Sequence, residues 1–272
     1  MHPFFSIIVV CLNPGNKLKD TLESIETQNF RDFEVIVKDG GSQDDSLEIA
    51  LMLVEEVGNV TVIQKRDTGI YDAMNQAVVR AVGRYVYFLN CGDRFYSENV
   101  LGRMADFIKA EKNPDVPCIF YGNIFERLTG QQVISNPHMD AFGCYRNVPC
   151  HQACFYDRML LMAHPFDTSY QVRADYEQFL WCFFSNIYVS FHYTELLIVD
   201  YEGGGFSETR ENRKLSGKEH REITRKYIPR GQLFKFKLIM WVTLAPLRRK
   251  LAENKMTAGI YNRFKKMLYL QK

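Results

Sequence analysis

The first 110 residues fall into blocks of apolar strand and amphipathic helix. Phe4 to Leu12 is apolar on both faces, which predicts a fully buried strand of a parallel sheet. Asn13-Pro14-Gly15 breaks it. Lys17 to Gln28 then carries Leu18, Leu22 and Ile25 at helical spacing. Phe33 to Lys38 predicts a second strand, closed by Asp39-Gly40-Gly41-Ser42. Ser42-x-x-Asp45 resembles a capping signal for a helix running to about Val57. Val60 to Gln64 predicts a third strand. Ile70 to Val82 predicts a helix with Ile70, Met74, Ala77 and Ala81 on one face. Tyr85 to Leu89 predicts a fourth strand, and Ser97 is expected to cap a helix to about Ala110.

Strands alternating with helices through short turns imply an α/β fold, a mostly parallel sheet with helices on both faces. From Cys118 the pattern is less regular. Ile119 to Phe125 and Gln132 to Ser135 look antiparallel around Thr129-Gly130. Asp175 to Phe184 predicts a helix, and Ile187 to Phe191 and Leu196 to Tyr201 predict two late strands.

Composition bounds the class. The chain has 272 residues, 46% hydrophobic and 24% charged, ordinary values for a globular protein. Its seven cysteines lack paired C-x-x-C spacing, so a zinc site is not expected and a reducing compartment is. The apolar start lacks a basic segment and a cleavage site, so it does not read as a signal peptide. No apolar run reaches the roughly 18 residues that suggest a spanning helix.

Charge changes the picture. From Thr209 onward there are 18 Lys+Arg against 4 Asp+Glu, a net of +14, and the preceding 208 residues carry −12. We expect a body over residues 1–207, with a nucleotide half to about 115 and an acceptor half over about 116–207. Residues 208–272 are expected to form a basic helical tail. Leu238 to Leu247 is an apolar run with Lys235 and Lys237 before it and Arg248-Arg249-Lys250 after it, and Tyr261 to Leu270 mixes apolar and basic residues, as in helices lying on an anionic membrane surface. The alternative is helices packed back on the body.

In a parallel sheet four polar clusters would share one edge, where open α/β sheets bind ligands. They are Cys11-Leu12-Asn13, Asp39-Gly40-Gly41-Ser42, Lys65-Arg66-Asp67-x-Gly69 and Asn90-Cys91-Gly92-Asp93. Asp39 suits a ribose hydroxyl or base N–H, and its glycines allow close backbone approach. Asp93 on its Gly-containing turn suits a divalent metal against a diphosphate. Neither the G-x-G-x-x-G nor the G-x-x-x-x-G-K-[ST] pattern is present, so a nicotinamide cofactor is not expected.

These stretches resemble family 2 glycosyltransferases of GT-A fold, most closely the colanic-acid and exopolysaccharide subgroup. The resemblance rests on Ser6 to Asn13, Glu34 to Asp44, Asp67 to Asn75, Asn90-x-Gly92-Asp93, Cys150-His151-Gln152, Ala174-Asp175-Tyr176 and Gly203 to Ser207. It implies a Rossmann-like GT-A sheet and an inverting transfer from a nucleotide-diphosphate-sugar, a UDP-sugar ahead of a GDP-sugar. The acceptor expected, with the basic tail in support, is a lipid-linked glycan at the cytoplasmic membrane face. It puts Cys11, Asn13, Asp39 and Gly41 at the nucleoside. Arg66, Asp67, Gly69, Asp72, Asn75, Asn90 and Gly92 would line the donor pocket, and Asp93 would hold Mg2+ or Mn2+. Asp175 would be the base, and His151 would contact acceptor or sugar. The family's usual D-x-D is here Asn90-x-x-Asp93, with one acid. Gly203 to Ser207 reads as a flap over the donor or a linker. His192 is a weak candidate for an extra metal ligand.

Three other readings compete. A sugar nucleotidyltransferase would need a Gly-rich basic loop after strand one, and Asn13-Pro14-Gly15 is a poor match. A non-catalytic sugar-nucleotide-binding scaffold would explain the missing second acid. Nucleic-acid binding is disfavoured because no reading module is present. Homodimerisation through the tail is left open.

Overall fold

The computed structural model describes residues 2–270 except 58, 112–115, 186–187, 204–208, 244–250, 253 and 255–256. Strands β1 (Phe5–Cys11), β2 (Phe33–Asp39), β3 (Val60–Gln64) and β4 (Tyr85–Phe88) are parallel, in the order β3-β2-β1-β4. The unbroken apolar run of β1 has a simple cause. Ile7 and Val9 pack on one face with Leu18, Leu22 and Ile25 of α1 (Asn16–Glu26). Ile8 and Val10 pack on the other with Tyr71, Met74 and Ala77 of α3 (Ile70–Val78). A strand covered on both faces has no reason to alternate. Helix α2 (Ser46–Val57) completes the second crossover. Its expected cap is different in detail: the Asp44 carboxylate accepts from the Ser46 N–H, while Ser42 is drawn to Asp39.

The sheet continues β4-β8-β6-β9-β5. Strand β8 (Cys154–Asp157) runs antiparallel to both β4 and β6 (Cys118–Glu126). The expected hairpin forms between β6 and β7 (Gln131–Val133). The two late strands are instead one, β9 (Ser190–Tyr201), parallel to β6 with register shifts around Asn123. Gly122 permits this, since a Cβ there would meet the Leu196 carbonyl oxygen at 2.6 Å. Ile187 lies outside the described residues. Two-residue β5 (Arg94–Phe95), too short to carry a pattern, pairs with β9 and closes that edge. Helix α4 (Val100–Lys109) follows it.

Helices α5 (Ala141–Arg146), α6 (Arg158–Ala163) and α7 (Ala174–Phe184) flank the second half. The boundary expected at residue 207 does not end the core. Helix α8 (Arg210–Tyr227) docks on α7, with Ile223 fully buried. The buried Glu177 carboxylate accepts from Lys226 Nζ at 2.6 Å, faces His164 Nε2 at 3.0 Å and accepts from the Tyr227 hydroxyl. Glu219 accepts from the backbone N–H groups of Gln171 and Val172. Lys226 of the basic stretch thus lies against an acid of the body. Helix α9 (Arg230–Val242) seats Leu233 and Phe236 among Phe142 and Tyr145 of α5. Helix α10 (Ala258–Leu270) is fixed by Lys265 Nζ, which donates to the Ile134 carbonyl at 2.7 Å. The apolar run to Leu247 is described only as far as Thr243.

Candidate active site

The ends of β1, β2 and β3 meet as the parallel registers require, Cys11 beside Asp39 and Asp39 beside Gln64. Asp39 is 1% exposed. Its carboxylate accepts from the N–H groups of Gly41 and Ser42, at 3.2 and 3.1 Å, and from the Ser42 hydroxyl. The Asn13 N–H donates to Ser42 Oγ, and Asn13 Oδ1 accepts from the Gln43 N–H, both at 2.8 Å. Gly41 at φ 99° gives the loop its turn. Asp39, Asn13 and Gly41 therefore make one braced loop, with Cys11 at its root.

Lys38 braces the neighbouring loop. It is fully buried, and its ammonium donates to the carbonyls of Asp39 and Lys65 and to Asp67 Oδ2, at 3.0, 2.5 and 2.7 Å. Asp67 Oδ1 accepts from the Gly69 N–H. Gly40 must lack a side chain here, because a Cβ would come within 2.9 Å of Asp67 Oδ2. Arg66 is exposed beside Gly41. The Asp72 carboxylate accepts from the Thr68 N–H at 2.9 Å and from Gln76, which holds it below the usual carboxylate range at the head of α3. Both ends of the Asn75 amide pair with the Phe166 backbone. Asp72 thereby braces the loop ahead of α3, and Asn75 ties α3 to the Phe166 backbone.

The β4 turn is joined to the second half by side chains. Gly92 at φ 97° lets the Glu202 carboxylate lie over it, where a side chain would collide. Asp93 is 4% exposed. Its Oδ1 accepts from the Glu202 N–H at 2.8 Å and its Oδ2 from Gln152 Nε2 at 3.2 Å. Burial pushes its carboxyl up to about 6, against the pull of those donors and of His151. His151 Nδ1 lies 3.2 Å from Asp175 Oδ2, and its Nε2 lies 3.3 Å from Asn90 Nδ2. Asp175 Oδ1 accepts from the Tyr71 hydroxyl at 2.8 Å. Burial raises the Asp175 carboxyl, but hydrogen bonding to His151 and Tyr71 and the charge of His151 outweigh it and hold it low. A carboxylate facing Nδ1 fixes the proton there, so Nε2 is the ring's acceptor.

Among the described residues no group of three or more His, Cys, Asp or Glu is placed to hold a metal. A divalent ion at the β4 turn would meet the buried carboxylate of Asp93, since the Glu202 carboxylate over Gly92 is paired with Lys17 at 2.8 Å. It would also have Asn90 Oδ1, which is buried without a hydrogen-bond partner. Magnesium and manganese accept such oxygen sets completed by phosphate and water, so these residues fit the ion. His192 does not join them: it pairs with Glu111 at 3.2 Å and stacks on Phe120.

The structure thus gathers Asn90, Gly92, Asp93, His151 and Asp175 into one connected cluster. It sets Cys11, Asn13, Asp39, Gly41, Arg66, Asp67 and Gly69 along the adjoining strand ends. Residues 204–207 of the expected flap lie outside the described residues. Sequence reasoning missed Lys38, Tyr71 and Gln152 as supports. A lysine in the apolar run Phe33 to Val37-Lys38 was a visible signal, because a cation entering a buried strand demands a partner.

The family model for glycosyl transferase family 2 matches residues 6–164. A PGL/p-HBAD biosynthesis glycosyltransferase of Mycobacterium bovis is 36% identical over 210 residues, 76% of this chain and 80% of that protein. The crystal structure of S. aureus TarS 1–349 aligns with a TM-score of 0.61 at 20% identity, over 74% of this chain and 60% of that one. The mannosyltransferase PcManGT from Pyrobaculum calidifontis, solved with GDP-Man and Mn2+, aligns at 0.62 and 16% identity, over 84% and 65%. The chain thus spans less than two thirds of either solved protein. The two structural likenesses bear on architecture, and they agree with a GT-A fold. The family match covers more than half of the chain and the mycobacterial kinship three quarters of it, so the chain belongs to glycosyl transferase family 2 and is a glycosyltransferase.

Proposed function

We propose that the protein moves a sugar, with inversion, from a nucleotide-diphosphate-sugar to a hydroxyl of a lipid-linked glycan in bacterial surface-polysaccharide synthesis. One observation carries the reading. A single hydrogen-bond chain runs Tyr71–Asp175–His151–Asn90 and ends on the turn that bears Asp93. It couples a candidate base to the place where a diphosphate would leave. The TarS structures with UDP and UDP-GlcNAc and the PcManGT complex with GDP-Man support a nucleotide-sugar donor, with a UDP-sugar favoured.

The braced loops at Asn13, Asp39 and Gly41 offer backbone groups to the nucleoside, and Arg66, Asp67 and Gly69 line the donor. The acceptor oxygen attacks the anomeric carbon as the carbon–oxygen bond to the diphosphate breaks, and its proton passes to the Asp175–His151 pair. No second acid is needed, because a single displacement forms no glycosyl-enzyme bond. Asp93 and Asn90 Oδ1 would hold a divalent cation, which would supply charge neutralisation for a departing diphosphate.

Asp175 is the leading base. A second reading makes His151 Nε2 the proton acceptor, oriented by Asp175. It is favoured by the occupation of both Asp175 oxygens, by Tyr71 and His151. Donor turnover with a membrane lipid extract separates them. With Asp175 as base, Asp175→Asn loses about a thousandfold in kcat and His151→Gln about tenfold. With His151 as base, the larger loss moves to His151→Gln. Tight donor binding without turnover from any nucleotide sugar would leave the scaffold reading.

A further inference from the structure

Helix α9 is apolar on two opposite faces. At 3.6 residues per turn, Leu233, Phe236 and Met240 share one side. That side is seated on Phe142 and Tyr145 of α5, with Leu233 and Phe236 buried. Phe234, Leu238 and Trp241 share the other side at i, i+4 and i+7, with Val242 beside them. They are 73%, 50%, 76% and 64% exposed. A helix that is apolar all round is normally buried all round. Here one side has a protein partner and the other has none among the described residues.

The flanks say what covers it. On the wheel, Arg230 and Lys237 border the exposed stripe on one side and Lys235 on the other, and all three are exposed. No acidic residue occurs between Pro229 and Ala252, and Arg248-Arg249-Lys250 follows in sequence. An apolar stripe bordered by cations, with an aromatic of Trp type, matches the interface of an anionic bilayer. A protein partner would ask for hydrogen-bonding rim groups, and α9 offers cations and Gln232. No helix among the described residues is long and apolar enough to cross a membrane, so α9 would lie along the surface. Its inner side is docked on α5, whose last residue, Arg146, precedes His151 by five positions. A bilayer under α9 would therefore be coupled through α5 to the acceptor side of the site.

We infer that the Phe234–Leu238–Trp241 face of α9 seats the enzyme on an anionic lipid surface. This deepens the lipid-linked acceptor reading, and only its link to the acceptor rests on that reading. The test is flotation of the full chain with vesicles of phosphatidylcholine alone or mixed equally with phosphatidylglycerol, without donor or acceptor. Binding and turnover are thus read separately and fail separately. We expect binding to the mixed vesicles and a blue shift of Trp241 emission. Phe234→Ser/Trp241→Ser should weaken binding at least about tenfold. Lys235→Gln/Lys237→Gln should weaken it about fivefold per lysine, an effect lost in high salt. The buried side of α9 is untouched in both variants, and circular dichroism monitors the fold. No binding of wild type to mixed vesicles overturns the inference. So does equal binding by the Ser variant, or self-association of wild type that the Ser variant abolishes.

Discussion

The two sides of the sheet edge hold their acids differently. On the β1–β3 side, Asp39 is held by N–H groups of its own loop and Asp67 by the buried Lys38 and the Gly69 N–H. On the other side, Asp93 and Asp175 depend on side chains from distant elements. Gln152 and the Glu202 backbone reach Asp93, and His151 and Tyr71 reach Asp175. The first arrangement fixes loop shape, so backbone groups are presented at set positions. The second keeps carboxylates at energies that bound charge or a moving proton can change. Shifted carboxyls accordingly occur there in opposite directions, Asp93 raised and Asp175 lowered. On the proposed reading these opposed shifts fit a division of tasks between Asp93 and Asp175.

The largest expected effect tests the reactive side. Asp93→Asn should lower donor turnover by about a hundredfold or more, since on the proposed reading Asp93 is the carboxylate that would hold the ion. The same change should raise thermal stability without ligand at pH 8. Asp93's folded carboxyl is raised from 3.8 to about 6, so folding favours the neutral acid. Stability from it is full below about pH 4 and is lost as pH rises through about 6. Asparagine is neutral throughout, and the Gln152 amide can turn to accept from it. The gain should be of order 1–2 kcal/mol at pH 8 and vanish near pH 4. A variant that loses both activity and stability at pH 8 would make Asp93 a scaffold acid like Asp39, and the comparison would fail.

Lys38→Met tests the loop-shaping side. The change strips Asp67 of its ammonium and two carbonyls of their donor. Losing one partner of a buried ion pair costs about 3 kcal/mol, so the melting temperature should drop by several degrees. Donor KM should rise about tenfold with kcat changed less, because on the proposed reading the loop positions the donor and does not handle the proton. A kcat loss with KM unchanged would place Lys38 with the reacting groups.

Much of this was legible in the chain. Two-sided burial of β1 and the 3.6-residue period of α1 and α3 announced a parallel α/β sheet, and turn residues marked its ends. Asp93, Asp175 and His151 were visible as chemistry on predicted turns and helix starts. Their mutual contacts were not, because Tyr71, Asn90, His151 and Asp175 are joined across up to 104 positions of sequence. The β9 strand was split by the local pattern around Thr194 and Glu195, which the register shift against β6 absorbs. The tail was misjudged at α8 for a related reason. Its charges read as facing an anionic membrane surface, while the acid that receives Lys226, Glu177, lies far upstream.

The smallest expected effect is the sharpest test of the contrast. Tyr71→Phe removes one of the two side-chain hydrogen bonds on Asp175 and keeps the ring against Phe166. A hydrogen bond to a charged group contributes about 1.5–3 kcal/mol, part of which rearrangement of His151 recovers. We expect kcat to fall only about three- to tenfold at neutral pH. The pH profile is more telling. Tyr71 helps hold the Asp175 carboxyl low, so its loss must raise it. Ionised Asp175 is needed in either reading of the proton transfer, so the acid limb of kcat/KM should move to higher pH. The variant would then lose more activity at pH 5 than at pH 8. An acid limb that stays in place while activity falls equally at both pH values would mean that Tyr71 merely packs. The tuning of Asp175 would then rest on His151 and the charge of Arg173.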